Sequence, residues 1–120
     1  MGKTVEFQIG VIFNEYENLT DEAVEKAARK AGRDAVQKLK NTSPKKSGEY
    51  ATGWATRKRG LGVIVYNRKA PGLTHLLEYG HDIVNKFGEY GRAPARVHIA
   101  PVEQAANQEF EDEIRRNMQK

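Results

Sequence analysis

Apolar and polar positions alternate at the start of the chain. Val5, Phe7, Ile9 and Val11 are separated by polar or small residues through TVEFQIGVIF, the two-residue period of a half-buried strand. From residue 20 the period lengthens. Val24, Ala27, Ala28, Ala31, Ala35, Val36 and Leu39 fall on one face of a helix. Thr20 suits its N-cap, Asp21 and Glu22 its first turn, Lys38 and Lys40 its last, and NTSP ends it. The alanines of that face let another backbone approach closely. Gly32 lowers the local helix propensity by about 1 kcal/mol relative to alanine.

SPKKSGEYATGWATRKRGLGVIVYN reads as a loop followed by a hairpin. Tyr50, Thr52, Trp54 and Thr56 alternate on one face of its first strand. Leu61, Val63 and Val65, with Ile64 and Tyr66 opposite them, form the returning strand. The turn falls near KRGLG, where Gly60 and Gly62 can take positive φ, so Arg57, Lys58 and Arg59 stand at the tip. After a turn in NRKAPG, Leu73, Leu76 and Leu77 recur at i, i+3 and i+4 in a short helix, with Gly80 as its stop. Residues 82–95 keep no sustained period and predict a mobile loop. RVHIA returns to strand alternation, with Val97 and Ile99 inward and Arg96 and His98 on the other face. Pro101 then suits the first position of a final helix. Its apolar stripe is Val102, Ala106, Phe110 and Ile114, with Glu109, Glu111, Asp112 and Glu113 opposite or beside it.

The resulting expectation is an α+β fold: two main helices and one short helix packed on a small, mostly antiparallel sheet that contains an extended basic hairpin. The 120 residues suit a single domain, 1–120, whose first 15 residues are strand-like.

Composition narrows the function. Hydrophobic residues make up 38% and charged residues 30%, enough to build a core and keep it soluble. No apolar run approaches the roughly 20 residues of a membrane span, and the first ten residues lack the apolar core of a secretory leader. Without cysteine there is neither a disulfide framework nor a thiolate metal site, which points to synthesis inside a cell. The net charge of +4 hides a sharp asymmetry: residues 38–69 hold nine basic side chains against Glu49 alone. Such a segment suits contact with a polyanion, or else it is a hairpin kept soluble by its cations.

Catalytic chemistry finds little support. A metal would have to come from His75, His81 and His98 with Glu78, and their spacing matches no metalloenzyme pattern. Ser43 and Ser47 lack a nucleophile elbow and a histidine nearby in sequence. The glycines at 60, 62, 88 and 91 do not open a phosphate-binding loop. No catalytic residue, metal or cofactor is expected.

Four segments in order, LKNTSPKKSGEYATGW, VIVYN, LTHLLEYGH and GRAPARVHIAP leading into an acidic helix, resemble the small tail-completion, or head–tail joining, proteins of long-tailed bacteriophages. The resemblance covers about residues 20–118. The opening strand-like segment departs from it, since such proteins often begin directly with the helix. The resemblance implies a non-enzymatic virion component of phage or prophage origin, made in the bacterial host cytoplasm. It would form a ring at the neck, touching other copies of itself, the head or connector and tail proteins, with transient non-specific contact to DNA and none to membrane.

On that reading LTHLLEYGH is a structural joint: Leu76 and Leu77 anchor it, Gly80 releases the chain, and Glu78 pairs with a neighbour such as His98. Lys45, Lys46, Arg57, Lys58 and Arg59 are the DNA-facing candidates. Ile83, Val84, Phe87 and Tyr90, apolar groups with no evident place in the core, are the candidates for a subunit interface. The alternative is a small sequence-independent nucleic-acid-binding protein, for which the basic segment is interleaved with Tyr50, Trp54 and Tyr66. A small hydrolase has only the histidines in its favour.

Overall fold

The computed structural model describes residues 4–10, 19–44, 48–84, 88 and 90–118. The elements in chain order are β1 (Phe7–Ile9), α1 (Asp21–Thr42), α2 (Glu49–Thr52), β2 (Trp54–Arg59), β3 (Gly62–Asn67), α3 (Pro71–Tyr79), β4 (His81–Val84), β5 (Tyr90–Ala93) and α4 (Ile99–Met118). This is the expected α+β architecture, with a three-stranded antiparallel sheet ordered β1-β3-β2 and a separate two-stranded ribbon of β4 and β5.

α1 begins where the capping pattern indicates, the Thr20 hydroxyl accepting the Ala23 N–H at 3.1 Å. Its buried face is Val24, Ala27, Ala28, Ala31, Gly32, Ala35 and Leu39. These small residues let α1 lie close against both the sheet and α4, whose stripe Val102, Ala106, Phe110 and Ile114 joins the same core. Phe7, Ile9, Trp54, Val63 and Val65 supply the sheet's inner face.

The N-terminal strand is an integral part of this sheet, Phe7 pairing with Val65 and Ile9 with Val63. β2 and β3 join through Gly60 and Leu61, a two-residue loop whose first position has φ +59°, as tight hairpin turns require. Gly62 does not take positive φ. Its constraint is space, because a Cβ there would stand 2.3 Å from the Ile9 carbonyl oxygen.

Three local expectations are overturned. Tyr50 and Thr52 are not strand residues: they lie on the one-turn helix α2, between Gly48 and Gly53. Two helix formers, Glu49 and Ala51, sit in that short window, and the coil lets the Tyr50 hydroxyl reach His98. Residues 82–95, expected to be a loop, instead contain most of the β4–β5 ribbon, with His81 opposite Ala93 and Val84 opposite Tyr90. Its backbone groups need partners, and antiparallel pairing supplies them. RVHIA is not a strand. Val97 is exposed, His98 and Ile99 are both buried, and α4 starts at Ile99, two residues before Pro101. A carboxylate from α3 captures the N–H groups of this corner, which favours starting the helix there.

The radius of gyration is 17.2 Å and the longest dimension 64 Å. A compact chain of this length would have a radius of about 14 Å. Something projects.

Candidate functional site

The cations of the hairpin tip do not stand together. Alternation along β2 sends Trp54, Thr56 and Lys58 toward α1 and puts Arg57 and Arg59 on the outer face. Arg57 reaches both carboxylate oxygens of Glu6 at 3.3 Å and lies 4.7 Å from the centre of the Tyr66 ring. Lys58 pairs with Glu25 of α1 at 3.5 Å. Arg59 makes no ion pair among the described residues. Beside them, Arg29 of α1 joins Arg57 and Lys58 around a shallow groove of about 140 Å³ that also takes in Glu25, Thr56 and Leu61. The sequence does not single out Arg29. It lies on the charged outer face of a long helix, and only the approach of α1 to β2 marks it out. Lys45 and Lys46 lie outside the described residues.

α3 holds the less expected arrangement. The three leucines do not anchor it as a set. Leu77 is half-buried against the core, whereas Leu73 and Leu76 are 43% and 37% exposed. The buried residues of α3 are polar, Thr74 and Glu78. The Thr74 hydroxyl accepts the Val5 N–H at 2.6 Å and donates to the Pro71 carbonyl at 2.6 Å. Glu78 accepts three backbone N–H groups, from His98 at 3.0 Å, Ile99 at 2.9 Å and Ala100 at 3.0 Å. It therefore caps α4 from another helix, its charge set against the positive end of the α4 dipole. Polar residues turn inward because these orphan donors are inward.

Around Glu78 a buried polar network forms. His98 Nδ1 lies 2.7 Å from the Arg96 carbonyl and 3.2 Å from Glu78, two acceptors, so it carries the proton. Its Nε2, in the neutral ring, accepts from the Tyr50 hydroxyl at 2.7 Å. The Trp54 indole packs edge-on against Tyr50 and donates to Ser43 Oγ at 2.8 Å. Burial and then the Glu78 charge hold the Tyr50 phenol well above the ordinary tyrosine range.

A carboxylate–imidazole–hydroxyl relay superficially resembles catalytic machinery. Here the terminal hydroxyl is buried in the core and held protonated. It is a joint between α2, α3 and α4. Gly80 completes it at φ +74°, where a Cβ would stand 2.6 Å from the Ala93 carbonyl oxygen. Of the other histidines, His75 packs at a tilt against Tyr79 with ring centres 5.1 Å apart, and His81 begins β4. Among the described residues no three histidine or acidic side chains gather closely enough to hold a metal ion.

Of the interface candidates, Ile83, Val84 and Tyr90 lie on β4 and β5, and Phe87 lies outside the described residues. The base of the ribbon is tied down. Arg92 donates to the Tyr79 carbonyl at 3.1 Å and pairs with Asp82 at 3.0 Å, and the Arg96 N–H meets the Leu77 carbonyl at 2.7 Å. Beyond that base the two strands pair with each other.

A family profile for bacteriophage HK97-gp10, described as a candidate tail component, matches residues 12–80, more than half of the chain. The matched span takes in α1, α2, the basic hairpin and α3. The β4–β5 ribbon and α4 lie outside it. No curated protein and no solved structure gives a significant match.

Proposed function

Because the chain belongs to the HK97-gp10-like family of bacteriophage tail components, we propose that it is a subunit of a ring at the junction of head and tail, through which DNA passes. A tail component is part of the virion and works beside other phage structural proteins. The finer reading gives it three kinds of partner: further copies of itself, the head or connector, and the tail. It has a mechanical role and no catalysis. The observation that carries this reading is the β4–β5 ribbon, tied at its base and, among the described residues, paired with no third strand. An isolated two-stranded ribbon is marginal in water, so one built into a fold suits a contact made on assembly.

The test is phage assembly without the protein. DNA-filled heads and finished tails should accumulate unjoined, and purified protein should restore joining. Heads that join tails normally in its absence would end this reading.

The groove bounded by Arg29, Arg57 and Lys58 favours a second reading, a small sequence-independent nucleic-acid-binding protein. Size separates the two. A ring subunit forms concentration-dependent oligomers, whereas a free binder shifts DNA as a monomer or dimer.

A further inference from the structure

We propose that Glu25 competes with DNA for the cations of the basic groove, so that the contact between groove and backbone phosphate stays loose. The proposal rests on the reading that DNA meets this groove, and it names what limits that meeting.

The groove lies between α1 and the hairpin. α1 supplies Glu25 and, one helical turn on, Arg29, while β2 supplies Thr56, Arg57 and Lys58. This lining holds three cations and one acid, so it attracts an anion, and Glu25 is the anion already there. One of its carboxylate oxygens lies 3.5 Å from Lys58 Nζ. The two partners are unequally placed, the Glu25 side chain being 25% exposed and the Lys58 side chain 71%. The carboxylate is recessed, and the lysine folds back to it from the rim.

Two costs therefore meet an incoming phosphate. Lys58 has to leave its carboxylate, and the phosphate has to approach a like charge. A partly buried charge is screened less by salt than a fully exposed one, so the second cost persists where surface repulsion fades. Glu6 holds Arg57 from another element at 3.3 Å, so two of the three groove cations arrive already partnered. Arg29 makes no ion pair among the described residues and keeps the groove attractive. A path along which DNA slides needs cations that release each phosphate, and a carboxylate beneath Lys58 gives that side chain somewhere to return.

The measurement is the affinity of the full-length protein for a mixed-sequence DNA duplex at several salt concentrations. Glu25→Gln keeps the side chain's length and removes its charge. Glu49→Gln is the control, taking the same charge from α2, at the opposite end of β2 from the tip. Both should keep the wild-type helical circular-dichroism signal. Glu25→Gln should bind about threefold to tenfold tighter at low salt, the effect of one like charge removed from beside a phosphate. Its salt slope should steepen by up to about one. Glu49→Gln should bind as wild type does. In a Lys58→Ser background the gain from Glu25→Gln should shrink, because the cation it would release is gone.

Glu25→Gln binding as wild type does, or gaining no more than Glu49→Gln, would overturn the proposal while leaving DNA binding intact. A gain undiminished by Lys58→Ser would overturn it too, since no cation would then be contested. If neither wild type nor Glu25→Gln binds DNA even at low salt, the DNA reading of the groove falls and the proposal falls with it.

Discussion

Glu78 is a residue on which much backbone depends. Its carboxylate takes up three N–H groups at the start of α4, from His98, Ile99 and Ala100, and faces His98 Nδ1, all in the interior. Glu78→Ala strands those donors and should cost about 3–5 kcal/mol in urea unfolding, as breaking a buried charged interaction does. Glu78→Gln should recover part of this, because one oxygen still accepts while the amide nitrogen confronts an N–H. A loss under about 1 kcal/mol for the alanine variant would show that water replaces the cap. Tyr50→Phe removes the bond to His98 and should cost about 1–2 kcal/mol at neutral pH. The sign of its pH dependence follows from the raised phenol. Below about pH 10 the phenol is protonated in both states; above it the unfolded chain loses this proton and the folded chain keeps it. Stability from this group therefore falls as pH rises, and the gap between wild type and Tyr50→Phe should narrow above about pH 10. A gap constant across that range would count against the buried phenol. None of this network was legible in full. The pairing of Glu78 with His98 follows from chemistry, but Tyr50 is hidden, because alternation over four residues fits a strand and a helical turn alike.

Elements were readable where the pattern was long. α1 and α4 each carry an apolar stripe sustained over several turns, and burial decides their faces as the periodicity does. Short elements were misread because tertiary hydrogen bonds outweigh a few residues of pattern. Leucine spacing points α3 the wrong way, and alternation points Val97 inward although a carboxylate claims the next three N–H groups. The steric role of certain glycines was equally hidden, since it depends on which backbone lies opposite. Gly32 reads as a weak point in α1, yet a Cβ there would stand 2.9 Å from Val63 Cγ2. Gly32→Ala should therefore fail to give the helix-propensity gain of about 1 kcal/mol, and the melting temperature should stay level or fall. Gly62→Ala is the harsher change, pushing β1 and β3 apart at the Ile9 carbonyl. It should lower stability by about 2 kcal/mol or more, in the range of overpacking. A melting temperature unchanged by Gly62→Ala would mean that β1 can move away without loss.

At the scale of the whole molecule the excess positive charge gathers on and around β2, which is an edge strand of the main sheet. Charged side chains on an edge also keep it from pairing with a stranger, so two roles compete. The pairs Arg57–Glu6 and Lys58–Glu25 do not exclude DNA. Both are at the surface, where such pairs contribute about 0–1 kcal/mol, and a phosphate can displace the carboxylate. Repeated around a ring, Arg29, Arg57, Lys58 and Arg59 would line the path with contacts that are electrostatic and blind to sequence, as sliding DNA requires. The measurement is DNA binding by assembled protein at several salt concentrations, beside Arg29→Ser and a variant carrying Arg57→Ser, Lys58→Ser and Arg59→Ser. Binding should be weak, independent of sequence and steeply salt-dependent, and its salt slope should shrink by about one for every phosphate left without its cation. The triple variant should still assemble, by sedimentation, and lose most of its binding. If instead it binds DNA as wild type does but aggregates on storage, the cations guard the strand edge and the DNA meets another surface.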